Sequence, residues 1–274
     1  MRVADLDRDM RDVIPTATSP HSEFLFERMT ARTLDLAAPA AGALVLDVAS
    51  GLAQDAAALA RRGARAVALE PSARMSALAR LLAAERRRPG LSAAEPLPVR
   101  GFSDALPFRS ACFDAVVCKG SLDHFDAPER ALAEMARVTR PEGRVVLAVA
   151  NFDSAACRLA RARDAFCEVW LARPPRTGRR HYDVPHDHFT RYDLPLLREQ
   201  LGRCLALESV SGVSLFWGLE GVDRWLAALP QALRRPLLQG LDALARRLPG
   251  LADVVLLVGR PLAAPDPRRD ASSA

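Results

Sequence analysis

Lysine is almost missing from this chain. Lys119 is the single lysine among 38 basic residues, so the formal net charge of +5 rests on arginine. The arginine accompanies abundant alanine, a pairing that follows coding bias, and no dense basic block interleaved with aromatics occurs. Nucleic-acid binding is therefore not expected. Paired cysteines are missing too. Cys112, Cys118, Cys157, Cys167 and Cys204 contain no CxxC spacing and are odd in number, which fits reduced thiols and argues against a disulfide framework or a zinc knuckle. No apolar run reaches the roughly 18 residues of a membrane span, and the charged opening MRVADLDRDMRD lacks the apolar centre of a signal peptide. These absences describe a cytoplasmic protein.

What is present is enough apolar sequence for one large domain: 274 residues, half of them hydrophobic. A helix is expected over 22–37, closing an N-terminal arm of residues 1–40. Apolar runs at 43–48, 66–70, 97–101, 112–118 and 143–150 read as strands, and near-continuous runs of this kind suit a parallel sheet buried on both faces. Helical patterns at 53–62, 72–88 and 127–139 alternate with them. Repeated βαβ units predict a doubly wound α/β sheet over 41–261. The alternation is interrupted twice: by a lid insertion at about 151–190 with an amphipathic helix at 152–172, and by a helical pair at about 219–250 broken at Pro230. Between them a helix from about 191 to 201 and a strand from 205 are expected, then a last strand at 252–261 and a disordered tail at 262–274.

Glycine is scarce where a dinucleotide would need it. The turn after the first strand, DVASG, has only Gly51, and Asp47 sits where a pyrophosphate would be repelled. Glu70 ends the second strand, the placement of an acid that accepts from both hydroxyls of a ribose. An acidic turn followed by an acidic strand end suits a nucleoside with a cationic, phosphate-free tail.

VLDVASG, ALEPSARM, GFSDALPF, CFDAVVC and LDHFDAPERALAEMARVTRPEGRVVL, in this order, resemble the class I S-adenosylmethionine-dependent methyltransferases, in particular the small-molecule branch that includes quinone-biosynthesis enzymes. The resemblance implies a mostly parallel, seven-stranded Rossmann-like sheet, S-adenosylmethionine as cofactor and a small organic acceptor. It implies that Asp47, Ala49, Ser50 and Gly51 hold the methionyl end, that Glu70 with Pro71 binds the ribose, and that Met75 lies near the adenine face. Phe102 and Ser103 take the adenine-edge positions, and Lys119 lines the cleft. This chain departs from the family's DxGxGxG pattern at Ala49 and Ala53, and has Phe102 where an aspartate is frequent. Ala53 is expected to crowd the cofactor, and Phe102 to stack in place of a hydrogen bond. The departures keep a non-catalytic cofactor-binding regulator in view, with a nucleotide-dependent oxidoreductase behind it.

Methyl transfer from a sulfonium is an in-line displacement, so the protein must align the acceptor and, for a weakly acidic one, take its proton. Lys119, Asp123 and His124 follow the fourth strand at the carboxyl edge of the sheet, and His124 is a candidate base that equally suits capping the next helix or pairing with Asp126. The stretch HYDVPHDHFTRY holds three of the five histidines and both tyrosines, the composition of a substrate-facing lid. His186, His188 and Tyr182 are its catalytic candidates, with a helix-capping role for the loop as the alternative. His186 and His188 have H-x-H spacing, with Asp183 and Asp187 beside them, but no partner spacing occurs elsewhere and no metal is expected. Phe152, Phe166, Val169 and Trp170 line either an apolar pocket or, as the spacing favours, the core. Trp225, Leu226, Leu237 and Leu238, flanked by arginines, suit a membrane surface or, as the more common outcome, packing on their own domain. The sequence leaves the oligomeric state open.

Overall fold

The computed structural model describes residues 19–86, 95–171, 180–183, 188–219 and 221–262. The first eighteen residues, the expected tail beyond Leu262 and the lid candidate His186 lie outside them.

Ser19 opens helix α1 (Pro20–Ala37) by accepting from the Ser22 amide, with Pro20 pre-setting the first turn. The chain then alternates through β1 (Leu44–Val48), α2 (Gln54–Arg61), β2 (Arg65–Leu69), α3 (Ala73–Arg86), β3 (Leu97–Val99), β4 (Phe113–Lys119), a single turn of 3₁₀ helix at Leu122–His124, α4 (Pro128–Val138) and β5 (Thr139–Ala150). It continues with α5 (Ala155–Trp170), α6 (Leu194–Gly202), β6 (Leu205–Val213), α7 (Val222–Ala228), α8 (Gln231–Arg247) and β7 (Val254–Pro261). The seven strands form one sheet in the order β3-β2-β1-β4-β5-β7-β6. Pairing is parallel from β3 to β5, and β7 runs antiparallel to both its neighbours, β5 and β6.

Alternate side chains of the central strands point to opposite faces, and helices cover both. Leu46, Val48, Val116, Val145 and Leu147 pack with Leu132 and Met135 of α4 and Leu197 and Leu201 of α6. Val45, Ala66, Ala115, Val117 and Val146 pack with Leu34 of α1 and Leu59 of α2. The expected helical pair is α7 and α8, whose Leu226 and Leu238 pack against Phe24 of α1. Among the described residues no helix is long and apolar enough to cross a membrane.

Two elements differ from the sequence reading. β5 begins at Thr139 instead of at 143, because the TRPEG segment is carried in the strand as an irregularity opposite Phe113 and Ala115 of β4. The reading of Phe166, Val169 and Trp170 as core is overturned: they are 53%, 74% and 77% exposed on the C-terminal half of α5, and only Phe152 is buried. Helical spacing gives the face a side chain is on, not whether anything covers that face.

Candidate active site

The carboxyl ends of β1, β2 and β4 converge at the reversal of strand order, where open α/β sheets bind ligands. β1 ends in a turn whose alternate residues Ala49, Gly51 and Ala53 have φ of 56°, 53° and 54°, a left-handed path that returns the chain into α2. Asp47 is 4% exposed, and its Oδ2 accepts from the amide of Ala56 in the first turn of α2 at 3.1 Å. Glu70, just past β2, is also buried; its Oε2 accepts from the Gly51 amide at 2.8 Å and its Oε1 from the Ser72 amide at 2.9 Å. The Ser50 amide goes to the Leu69 carbonyl and the Ala53 amide to the Ser50 carbonyl.

Those bonds decide the sign of the site. A phosphate cradle needs outward-facing amides, and here the amides of Ser50, Gly51, Ala53 and Ala56 are all taken internally. Carboxylates stand in their place. Burial pushes the Asp47 carboxyl well above the usual range, the charge of Asp55 adds to it, and Lys119 opposes both. Burial also raises Glu70, against the pull of its two amide donors. A cationic ligand relieves this strain, because an opposite charge favours the ionised forms.

Lys119 is spoken for. Its ammonium lies 2.8 Å from Asp55 and donates at 2.6 Å to the Thr30 hydroxyl, tying α1 to α2 beneath the turn. Asp55 was not among the sequence candidates; an acid in a helix's first turn carries no signal of the lysine it will meet. Met75 is buried against the turn, its Cε 3.6 Å from where a side chain on Gly51 would begin. Pro71 accepts from Arg100 through its carbonyl, and Phe102 and Ser103 are half-buried after β3.

Beyond β4 the 3₁₀ turn presents Asp123 and His124. His188 reaches them from the lid: its Nε2 is 2.9 Å from Asp123 Oδ2, and its ring centroid is 4.1 Å from that of His124. The amides of Phe189 and Thr190 donate to the Asp123 carbonyl, and the Phe152 and His188 rings pack at right angles with centroids 5.8 Å apart. The following helix, α4, has Ala127 at its N-cap, a residue with no side chain to cap it. Burial pushes the Cys118 thiol at the end of β4 far up, and the charges of Asp47 and Asp123 add to it from either side.

The rest of the lid divides. Tyr182 donates to Asp164 of α5 at 3.3 Å and accepts from Arg180 at 2.8 Å, with the Arg161 and Arg180 guanidinium groups 5.7 and 5.8 Å from its ring centre. His181 packs against Gly218. Tyr192 corrects the reading of a uniformly substrate-facing stretch: it is fully buried in the main core with its hydroxyl 3.0 Å from Gln200 Oε1.

Residues 46–147 match the family model described as a methyltransferase domain. The chain carries a methyltransferase domain. That domain includes Asp47, Glu70, Lys119, Asp123 and His124, while His188 lies beyond the matched stretch. A demethylmenaquinone methyltransferase of Thermobifida fusca is 36% identical over 154 residues, 53% of this chain and 63% of that protein. The chain spans between 41% and 63% of the length of the first two such relatives. Among solved structures, a geranyl diphosphate C-methyltransferase from Streptomyces coelicolor superposes with a TM-score of 0.55 at 14% identity, covering 86% of this chain and 77% of that one. The cyclase SpnF superposes with a TM-score of 0.54 at 22% identity, covering 85% and 80%. The chain thus shares the fold of these solved structures, built here as a seven-stranded, mostly parallel sheet with β7 antiparallel.

Proposed function

We propose that this protein transfers a methyl group from S-adenosylmethionine to a small organic acceptor. The observation that carries the reading is the donor turn, acidic and buried, with the amides of Ser50, Gly51, Ala53 and Ala56 satisfied from within. S-adenosylmethionine fits that donor set. Each Glu70 oxygen takes one amide and keeps acceptor capacity for a ribose hydroxyl, and the acids suit an ammonium and a sulfonium where a pyrophosphate would be repelled. When bound, the cofactor supplies a methyl group activated by positive sulfur. The chain's own part is to align the acceptor, exclude water and handle its proton. Asp123, His124 and His188 do this on our reading, with Tyr182 as a further lid residue. The name shared by the curated relatives supports hydroxylated, quinol-like rings as the first acceptors to try.

The test is transfer of a labelled methyl group from S-adenosylmethionine to a panel of phenols, quinols and amines, read by mass spectrometry. Product that depends on enzyme and disappears in Glu70→Ala supports the reading. Tight donor binding with no turnover across the panel would favour a regulator, the alternative that Ala53 and Phe102 keep open. Once an acceptor is found, His188→Ala lowers turnover about 100-fold or more with donor affinity nearly unchanged, since its side chain meets only the acceptor end. Loss of donor affinity in step with turnover would move His188 out of that role.

A further inference from the structure

Asp123, His124 and His188 form a group that holding the methyl donor does not require. One ligand-type atom from each lies within 4.8 Å of the others. Asp123 is 2% exposed; its Oδ2 meets His188 while its Oδ1 is buried with no hydrogen-bond partner. Leaving a buried acceptor unsatisfied is costly, more so when it is charged, and native structures retain few of them. A cation seated among the three side chains removes that cost. The group is also held in place. Two backbone amides beside His188 donate to the carbonyl of Asp123, so the lid and the 3₁₀ turn are fastened to each other next to the side chains that converge. The Phe152 ring packs against His188 on one side.

We propose that Asp123, His124 and His188 bind a divalent first-row transition-metal ion of the zinc type at the acceptor end of the cleft. Two imidazoles and one carboxylate make a ligand set that zinc, cobalt(II) and iron(II) accept, whereas magnesium and calcium take all-oxygen sites. Ligand atoms around tetrahedral zinc stand about 3.3 Å apart, given bonds near 2.0–2.1 Å. Three protein ligands leave a coordination position open, as catalytic sites do and closed structural sites do not. That position takes an acceptor oxygen, so the acceptor carries an ionisable hydroxyl whose proton leaves to solvent as its oxygen becomes the metal ligand. This assignment of the acceptor rests on the methyl-transfer reading; the metal site itself does not.

The test uses tag-free full-length protein stripped with a chelator and titrated with cobalt(II), whose visible absorption reports a bound imidazole and carboxylate set, then with zinc as competitor. One cobalt per chain, displaced by one zinc, is expected. Metal affinity falls at least tenfold in His188→Ala and in Asp123→Asn, and is retained in His181→Ala, a lid histidine outside the group. If Asp123→Asn does not fold, His124→Gln replaces it, with circular dichroism as the check on folding. Absence of cobalt absorption in the wild type, or affinity unchanged in His188→Ala, overturns the site. Titration of S-adenosylhomocysteine into the same stripped samples keeps the two readings apart. Metal binding without that ligand leaves the site standing and sinks the methyl-transfer reading, and ligand binding without metal does the reverse.

Discussion

Ala49 and Ala53 hold a left-handed backbone that glycine adopts more readily. For an L-residue that region costs roughly 1–2 kcal/mol, part of which alanine returns by having less freedom to lose on folding. Ala53→Gly is therefore expected to raise unfolding free energy by about 0.5 kcal/mol or leave it level, with donor affinity equal or better, as read by denaturant melts and calorimetry. A clear loss of affinity would mean that the turn is built around the methyl group. At this scale the sequence carried part of the site. The acids at Asp47 and Glu70 were legible because a strand end and a lone glycine locate them without any tertiary information. The meeting of His188 with Asp123 and His124 was not, since no spacing rule links a lid residue to a turn so far away in the chain. Tyr192 was misread for a related reason: composition grouped it with the lid, while packing drew it inward against Gln200.

Helix α8 lies directly on β6 at Gly212. A side chain there would clash with the Ala252 Cβ and the Ala245 carbonyl oxygen, contacts that only backbone movement relieves. Gly212→Ala is predicted to destabilise the fold by about 3 kcal/mol through overpacking, measured as a lower denaturant midpoint. An unchanged midpoint would mean that α8 is loosely docked. Helices and strands were mostly legible from period and breakers, including the division of α7 from α8 at Pro230. Two things were not. The start of β5 at Thr139 depends on pairing with β4 across Pro141 and Gly143, which local preference reads as a loop. The exposure of Phe166 and Trp170 depends on what packs over α5, and periodicity carries no information about that.

Across the whole molecule, β7, the loop after β6 and α1 meet in one buried polar network. Asp253 accepts from the Trp217 amide at 2.9 Å, and His21 shares a 2.9 Å hydrogen bond with the Ser214 hydroxyl. Burial pushes the Asp253 carboxyl up to about 7, against several hydrogen-bond donors, and pushes His21 down, with Asp223 partly opposing. A raised carboxyl means that the folded state keeps a proton the unfolded chain has released, so Asp253 costs stability as pH rises from about 4 through about 7. A lowered histidine costs stability in the other direction, as pH falls through its unfolded value near 6.5. Asp253→Asn should therefore reduce the fall in melting temperature between pH 5 and pH 8 by roughly 5 °C or more. An identical pH profile in the variant would show that Asp253 does not govern that limb. The central claim lies at the ends of β1 and β2: the turn between β1 and α2 receives a nucleoside with an amino-acid tail and no pyrophosphate. Calorimetric titration of wild type and Glu70→Ala with S-adenosylhomocysteine and with NAD tests it most directly. The account predicts binding of S-adenosylhomocysteine, weakened by about 1.5–3 kcal/mol in the variant, and no heat from NAD. NAD binding, or S-adenosylhomocysteine affinity indifferent to Glu70, would contradict it.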